Sequence, residues 1–155
     1  MKQAISKETV SVLNDLVMIN NDRIAGYEKA ITETKDDSSL RSVFMHMIAQ
    51  SRQYVDELTA HLKQLAEDAV TGTTFSGKLY RTWMDVRSSV KSDKSRTALE
   101  LCEFGEDAAQ EAYSAALEHE DLPEDIRGLI YTQKEELKES HDQIRSYRDA
   151  RRKSL

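Results

Sequence analysis

Apolar residues recur every three or four positions along most of this chain. In residues 7 to about 35 they are Val10, Leu13, Val17, Ile24, Tyr27 and Ile31, with Asn20 completing the register. Such spacing places side chains on one face of an α-helix. Residues 39 to 68 and 123 to 151 show the same spacing, with Leu40, Phe44, Met47, Tyr54 and Leu58 in the first and Ile126, Ile130, Leu137 and Ile144 in the second. Three long amphipathic helices are therefore predicted.

A fourth long segment, residues 95 to about 120, keeps the helical spacing but carries small side chains. Its core-facing positions are Ala98, Cys102, Gly105, Ala109, Ala112 and Ala116. Small residues allow helices to approach closely, or leave room for another group. Polar residues stand at core-facing positions of other helices, namely Ser51, His61, Gln133 and Ser140.

The breaks between these segments predict how the helices connect. Residues 36 to 39 (DDSS) supply capping side chains, and Pro123 suits the first turn of the last helix. Both short connections permit only antiparallel hairpins. Residues 69 to 94 form a longer connection, in which residues 78 to 90, with Trp83, are predicted to be a short helix covering one end or side of the bundle.

The pattern therefore predicts an all-α fold, an up-down-down-up four-helix bundle with an additional short helix in the crossover between helices 2 and 3. Each long segment would span about 40 Å as a helix. The sequence does not fix the direction of the third long helix, so the order without a crossover stays open.

Composition limits the classes of protein to which the chain can belong. With 155 residues it fits one domain, residues 1 to 155, with a core from about 7 to 151, and its 5 glycines and 1 proline agree with long helices. A net charge of −6 argues against a nucleic-acid partner. The single Cys102 excludes an internal disulfide framework. Without a secretory signal or a membrane-spanning stretch, we expect a cytoplasmic protein with no membrane partner.

Helical bundles with a crossover commonly bind two metal ions through carboxylates. Two helices each give a Glu, and the other two each give a Glu-x-x-His pair, whose members share one helix face. The chain does not complete this pattern, because Leu58 precedes His61 by three positions and Lys138 precedes His141 by three. A lysine there would put a cation where the metal needs an anion.

A weaker set of metal ligands remains. A hairpin about residue 121 would bring Glu103 and His141 to nearly the same height. Glu106 lies one turn from Glu103, and either Glu28, with a crossover, or Glu57, without one, would complete the set. The candidate metal ligands are Glu57, Glu103, Glu106 and His141, with Glu28 as the alternative to Glu57.

Each candidate also has a structural interpretation. Glu28, Glu57 and Glu103 lie one position from a core-facing position, where acids pair with Lys or Arg. His141 fits a hydrogen-bonded histidine at the core boundary. A buried Glu106 needs partners to offset its lost hydration, and the available ones are Tyr27, Arg52 and Gln133.

Six stretches taken together resemble the bacterial ferritin-like family known as domain of unknown function 2383. They are LNDL (13–16), NDRIAGYEKA (21–30), QSRQYVDEL (50–58), FSGKLYRTWMD (75–85), CEFGEDAAQEAY (102–113) and SHDQIRSYRD (140–149). The resemblance implies a ferritin-like bundle without an established activity. The chain departs from the family at Tyr80, where histidine is frequent, and at Phe104, where arginine is frequent. The resemblance marks as family features Tyr27, Arg52, Glu57, Trp83, Glu106, Tyr113 and His141.

The leading hypothesis is a non-enzymatic bundle that acts through self-association, as a homo-oligomer, or through a protein partner. This hypothesis predicts no cofactor, because the set of metal ligands is incomplete. The alternative is a metal-carboxylate protein of oxidase or metal-handling type, which would bind iron or manganese.

Overall fold

A computed structural model of the chain describes residues 2–65 and 94–153, with side chains placed for 7–65 and 97–150. It contains helices α1 (Lys2–Glu33), α2 (Ser38–Gln64), α3 (Lys94–Leu117) and α4 (Glu124–Lys153). The four predicted long helices are confirmed, and their ends shift by at most a few residues within the described ranges. The short helix predicted for residues 78 to 90 lies outside the described residues. No helix in the described part of the chain is long and apolar enough to cross a membrane.

Contacts between the helices give their directions. Asn20 of α1 contacts Tyr113 of α3, and Arg23, one turn later in α1, contacts Glu106, about two turns earlier in α3. The two helices are therefore antiparallel. The same reversal relates α2 to α4. Since α1 is antiparallel to both α2 and α3, these two run in the same direction. The up-down-down-up order is thereby confirmed.

Side chains at the connections hold the hairpins together. Asp37 precedes α2 and accepts a hydrogen bond from the amide of Leu40 at 3.1 Å, which confirms the predicted cap. In the second hairpin, Arg127 of α4 donates to the carbonyl oxygens of Leu117, at 2.9 Å, and of His119. A cation there satisfies carbonyl groups that α3 leaves without helical partners.

The core consists of two apolar clusters, one toward each end of the bundle. The first contains Leu13, Leu16, Leu58, Leu62, Ile126, Ile130 and Leu137 among others. The second contains Tyr27, Phe44, Met47, Leu99, Cys102 and Ile144 among others. Burial of each large side chain contributes about 1.5–3 kcal/mol relative to exposure. Several buried polar residues, among them Asn20, Arg23, Ser51 and Glu106, lie between the two clusters.

The buried faces of α1 and α3 differ from prediction at particular positions. In α1, Arg23 is buried and Ile24 is only partly buried. In α3, Glu106 and Tyr113 are buried, whereas the predicted Gly105 and Ala112 are partly exposed. These assignments were wrong by one position. On each helix, both neighbouring positions fit a spacing of three and four. The structure buries the polar residue of each pair, and the charges of Arg23 and Glu106 neutralise each other inside the bundle.

The helices are not evenly spaced. α1 packs closely against α2 and α3, and α3 packs closely against α4, whereas α2 and α4 approach each other much less closely. Small buried side chains on α3, Ala98, Cys102 and Ala109, allow close approach to α1. Two side-chain hydrogen bonds connect α2 and α4: the Tyr54 hydroxyl donates to Glu136, and Gln133 Nε2 donates to Glu57.

Candidate functional site

A layer of polar side chains crosses the bundle between the two apolar clusters. Each helix contributes two residues to this polar layer: Asn20 and Arg23 from α1, Gln50 and Ser51 from α2, Glu106 and Tyr113 from α3, and Gln133 and Ser140 from α4. Burying polar groups is unfavourable unless they are hydrogen-bonded, so their partners decide what the layer can do.

An ion pair between Arg23 and Glu106 lies in the polar layer. Arg23 Nε donates to Glu106 Oε1 at 2.5 Å, and the two side chains are 3% and 0% exposed. Burial by itself lowers the pKa of Arg23, but the nearby Glu106 carboxylate outweighs it and the pKa lies above its ordinary value. The guanidinium is therefore charged inside the bundle.

Every N–H group of Arg23 has an acceptor. Nη1 donates to the carbonyl oxygen of Met47 at 3.2 Å and to Ser51 Oγ at 2.8 Å. Nη2 donates to Gln50 Oε1 at 2.9 Å and contacts the sulfur of Met47 at 3.4 Å. With Nε bound to Glu106, all five donors of the guanidinium are used. Arg23 thus connects α1 to both α2 and α3.

Glu106 also accepts a hydrogen bond from Tyr27. The Tyr27 hydroxyl lies 2.9 Å from Glu106 Oε1. Burial, followed by the charge of Glu106, raises the pKa of Tyr27 well above its usual value, so the phenol keeps its proton and donates. The predicted bond to Tyr27 is confirmed. The other expected partners do not bind Glu106: Arg52 lies on the surface 3.8 Å from Glu28, and Gln133 bonds elsewhere.

From Ser51 the hydrogen bonds continue across the bundle. Ser51 Oγ donates to Asn20 Oδ1 at 2.8 Å, and Asn20 Nδ2 donates to the Tyr113 hydroxyl at 2.8 Å. Tyr113 in turn donates to Gln133 Oε1 at 2.6 Å, and Gln133 Nε2 donates to Glu57 Oε1 at 3.0 Å. Together with the ion pair, this chain links all four helices, so the polar layer fixes their register.

Glu103 and His141, expected to lie side by side, have different partners. Glu103 pairs with Arg145, at 3.2 Å, and with Arg148, one and two turns beyond His141. His141 Nε2 lies 2.6 Å from Asp107 Oδ1, one turn further along α3 than Glu103. The two helices are therefore offset by about one turn relative to a symmetric hairpin about residue 121.

The four candidate metal ligands do not converge. Glu106 lies in the polar layer, Glu57 at its edge, and Glu103 and His141 on the α3–α4 side of the bundle. Within residues 7–65 and 97–150, no three His, Cys, Asp or Glu side chains form a group able to hold a metal ion. A guanidinium lies where a metal pair would need anionic ligands, so the described residues do not fit such a pair.

The sequence interpretation missed Arg23, the residue with most contacts in the polar layer. A signal for it exists, because Asn20, Arg23, Tyr27 and Ala30 follow one another at spacings of three and four. Ile24 has nearly the same spacing, and hydrophobicity alone favours it for the core. Only the acid opposite, Glu106, distinguishes the two choices.

Comparisons with known proteins agree with the architecture. The fold is similar to a conserved hypothetical protein of Mycobacterium tuberculosis, at 16% identity and a TM-score of 0.72, covering 91% of this chain and 97% of that one. It is also similar to a mutant of Dps1 from Mycobacterium smegmatis, at 14% identity and a TM-score of 0.77, covering 96% and 99%. These likenesses establish a ferritin-like four-helix bundle and no more.

Sequence comparison identifies the family. No curated protein matches the chain. The family model described as Domain of unknown function (DUF2383) matches residues 8–119, which include the helix α1 and α3 residues of the polar layer. Because this match covers more than half of the 155 residues, the protein belongs to that family.

Proposed function

We propose that this protein is a non-catalytic helical bundle that acts by associating with copies of itself or with a protein partner. The observation that carries the proposal is that all five N–H groups of Arg23 have acceptors within the bundle. The middle of the bundle is thus committed to holding the helices together, and the surface is left for function.

A groove between α1 and α3 supports association. Its volume is about 290 Å³, and its lining is mainly apolar, with Val12, Met18, Ile19, Ala112, Ala115 and Ala116, while Asp15 and His119 supply polar groups. Alanine side chains on α3 leave this space beside α1. An apolar groove of this kind suits a helix that presents its own apolar face.

Light scattering after size-exclusion chromatography, over a wide range of protein concentration, tests self-association. We expect the mass to rise with concentration for the unchanged protein. Ala115→Arg, at an exposed position of the groove, should lower the associated fraction, whereas Ala60→Arg, at an exposed position of α2 away from the groove, should not. A monomer at every concentration would contradict self-association.

A cytoplasmic location, which is part of this proposal, is supported by the single cysteine, because a chain with one cysteine can form no internal disulfide. Cys102 is buried and forms no disulfide. Burial, together with the charge of Glu106, raises its pKa well above the ordinary value, so the thiol stays protonated and poorly reactive.

The alternative function is that of a metal-carboxylate protein using iron or manganese. Its support is that Glu57 and Glu106 belong to one hydrogen-bonded network. Metal analysis of protein purified without a chelating tag, repeated after loading with iron or manganese, separates the two functions. We expect no stoichiometric metal. Bound metal that is lost in Glu106→Ala and kept in Glu139→Ala, an exposed change on α4, would overturn the leading proposal.

A further inference from the structure

A small cavity lies between α1 and α3 beside the ion pair. Its volume is about 10 Å³, and its walls include Asp22, Tyr27, Cys102, Gly105 and Glu106. A space of this size has room for about one water molecule and for no larger ligand.

One atom of Glu106 lacks a hydrogen bond. Its Oε1 accepts from both Arg23 and Tyr27, whereas its Oε2 has no hydrogen-bond partner among the described residues. The residue is only 1% exposed. A buried carboxylate oxygen without a donor is unfavourable, so a donor in the adjoining cavity would stabilise the folded protein.

The neighbouring side chains restrict the identity of that donor. Arg23 has used all its N–H groups, and the Tyr27 hydroxyl donates to the other oxygen of Glu106. A metal ion would need several ligand groups, and the part of the chain with placed side chains contains no group of three. An apolar ligand would leave Oε2 without a donor.

We propose that this cavity is a binding site for a single water molecule that donates a hydrogen bond to Glu106 Oε2. The water has further partners in the walls of the cavity. Its second hydrogen points to the Asp22 carboxylate, and its oxygen accepts from the Cys102 thiol. Three hydrogen bonds are typical of a buried water. The water holds Glu106 in the orientation that directs Oε1 toward Arg23 and Tyr27.

A crystal structure of the full chain at high resolution tests the proposal directly. We expect an electron-density peak at about 2.6–3.2 Å from Glu106 Oε2. Crystals grown with thallium(I) should give no anomalous peak there. An anomalous peak would assign a monovalent cation and overturn the water, and a cavity without density would overturn the site.

Solution NMR with two variants of one residue gives a second test. We expect a long-lived water cross-peak to the amide of Gly105 or Glu106 in the unchanged protein. Cys102→Ser keeps the size and a donor and should keep the cross-peak, whereas Cys102→Val is larger, has no donor and should abolish it. A cross-peak that persists in Cys102→Val, or that is absent from the unchanged protein, would contradict the proposal.

Discussion

Replacing Arg23 by methionine is expected to destabilise the protein far more than removal of an exposed arginine. The change leaves the Glu106 carboxylate in the middle of the bundle without its cation, at 0% side-chain exposure. Breaking a buried ion pair by removing one partner typically costs about 3–5 kcal/mol. Glu106→Leu, which leaves the guanidinium without its acid, should cost a similar amount.

The double variant Arg23→Met/Glu106→Leu should be more stable than either single variant. It buries no charge, and the other members of the polar layer retain bonds: Ser51 still donates to Asn20, and Gln50 still accepts from Ser140. We expect a cost of about 1–3 kcal/mol, because lost hydrogen bonds are partly replaced by apolar contacts. The single changes sum to about 6–10 kcal/mol, so the coupling free energy should exceed about 3 kcal/mol.

Urea unfolding followed by far-ultraviolet circular dichroism measures all four free energies of unfolding. A control cycle with Arg52→Met and Glu28→Leu uses an exposed pair, 3.8 Å apart with side chains 64% and 57% exposed. Its coupling should stay within about 0.5 kcal/mol. If the changes at Arg23 and Glu106 add within about 0.5 kcal/mol, or if each costs less than about 1 kcal/mol, the interpretation of the ion pair is wrong.

Three further predictions concern other parts of the bundle. Burial raises the pKa of Tyr113, so above about pH 10 the unfolded chain loses a proton that the folded chain keeps. The free energy of unfolding should therefore fall by up to about 1.4 kcal/mol per pH unit. Tyr113→Phe should flatten this alkaline decline in urea unfolding, whereas Tyr131→Phe, at an exposed position, is the control. Gly128→Ala should raise stability by about 0.5–1 kcal/mol in thermal unfolding, since an added Cβ meets nothing within 4 Å, and a lowered melting temperature would contradict this. Asp37→Ala removes the cap of α2 and should cost about 1 kcal/mol, while Asp37→Asn should retain most of it.

The amphipathic pattern was sufficient to predict the four helices, the buried face of α4 and most of that of α2, where Leu62 rather than the predicted His61 is buried. On those two helices large apolar residues, such as Phe44 and Ile130, recur at helical spacing, and their burial outweighs the cost of the polar residues between them, such as Ser51 and Gln133. The sequence also predicted Tyr27 as a partner of Glu106, because both stand on or beside a core-facing position.

The candidate metal ligands show where this reasoning ends. The prediction that Glu103 and His141 lie at the same height assumed a symmetric hairpin. Because the two helices are offset by about one turn, Glu103 pairs with Arg145 and His141 pairs with Asp107. A shift of a few ångströms along the helix axis changes which side chains meet, and neither spacing nor composition records it.

The sequence by itself determined the four helices and the short hairpins, and it named Tyr27 among the possible partners of a buried Glu106. The tertiary structure decided the direction of α3, and therefore that α3 packs antiparallel to α1. It also decided that Arg23, rather than Ile24, enters the core. Hydrophobicity is a property of each residue alone, whereas burial of a charged side chain depends on the charge that lies opposite. The fold brings Arg23 within 2.5 Å of Glu106, which is 83 positions away in the chain.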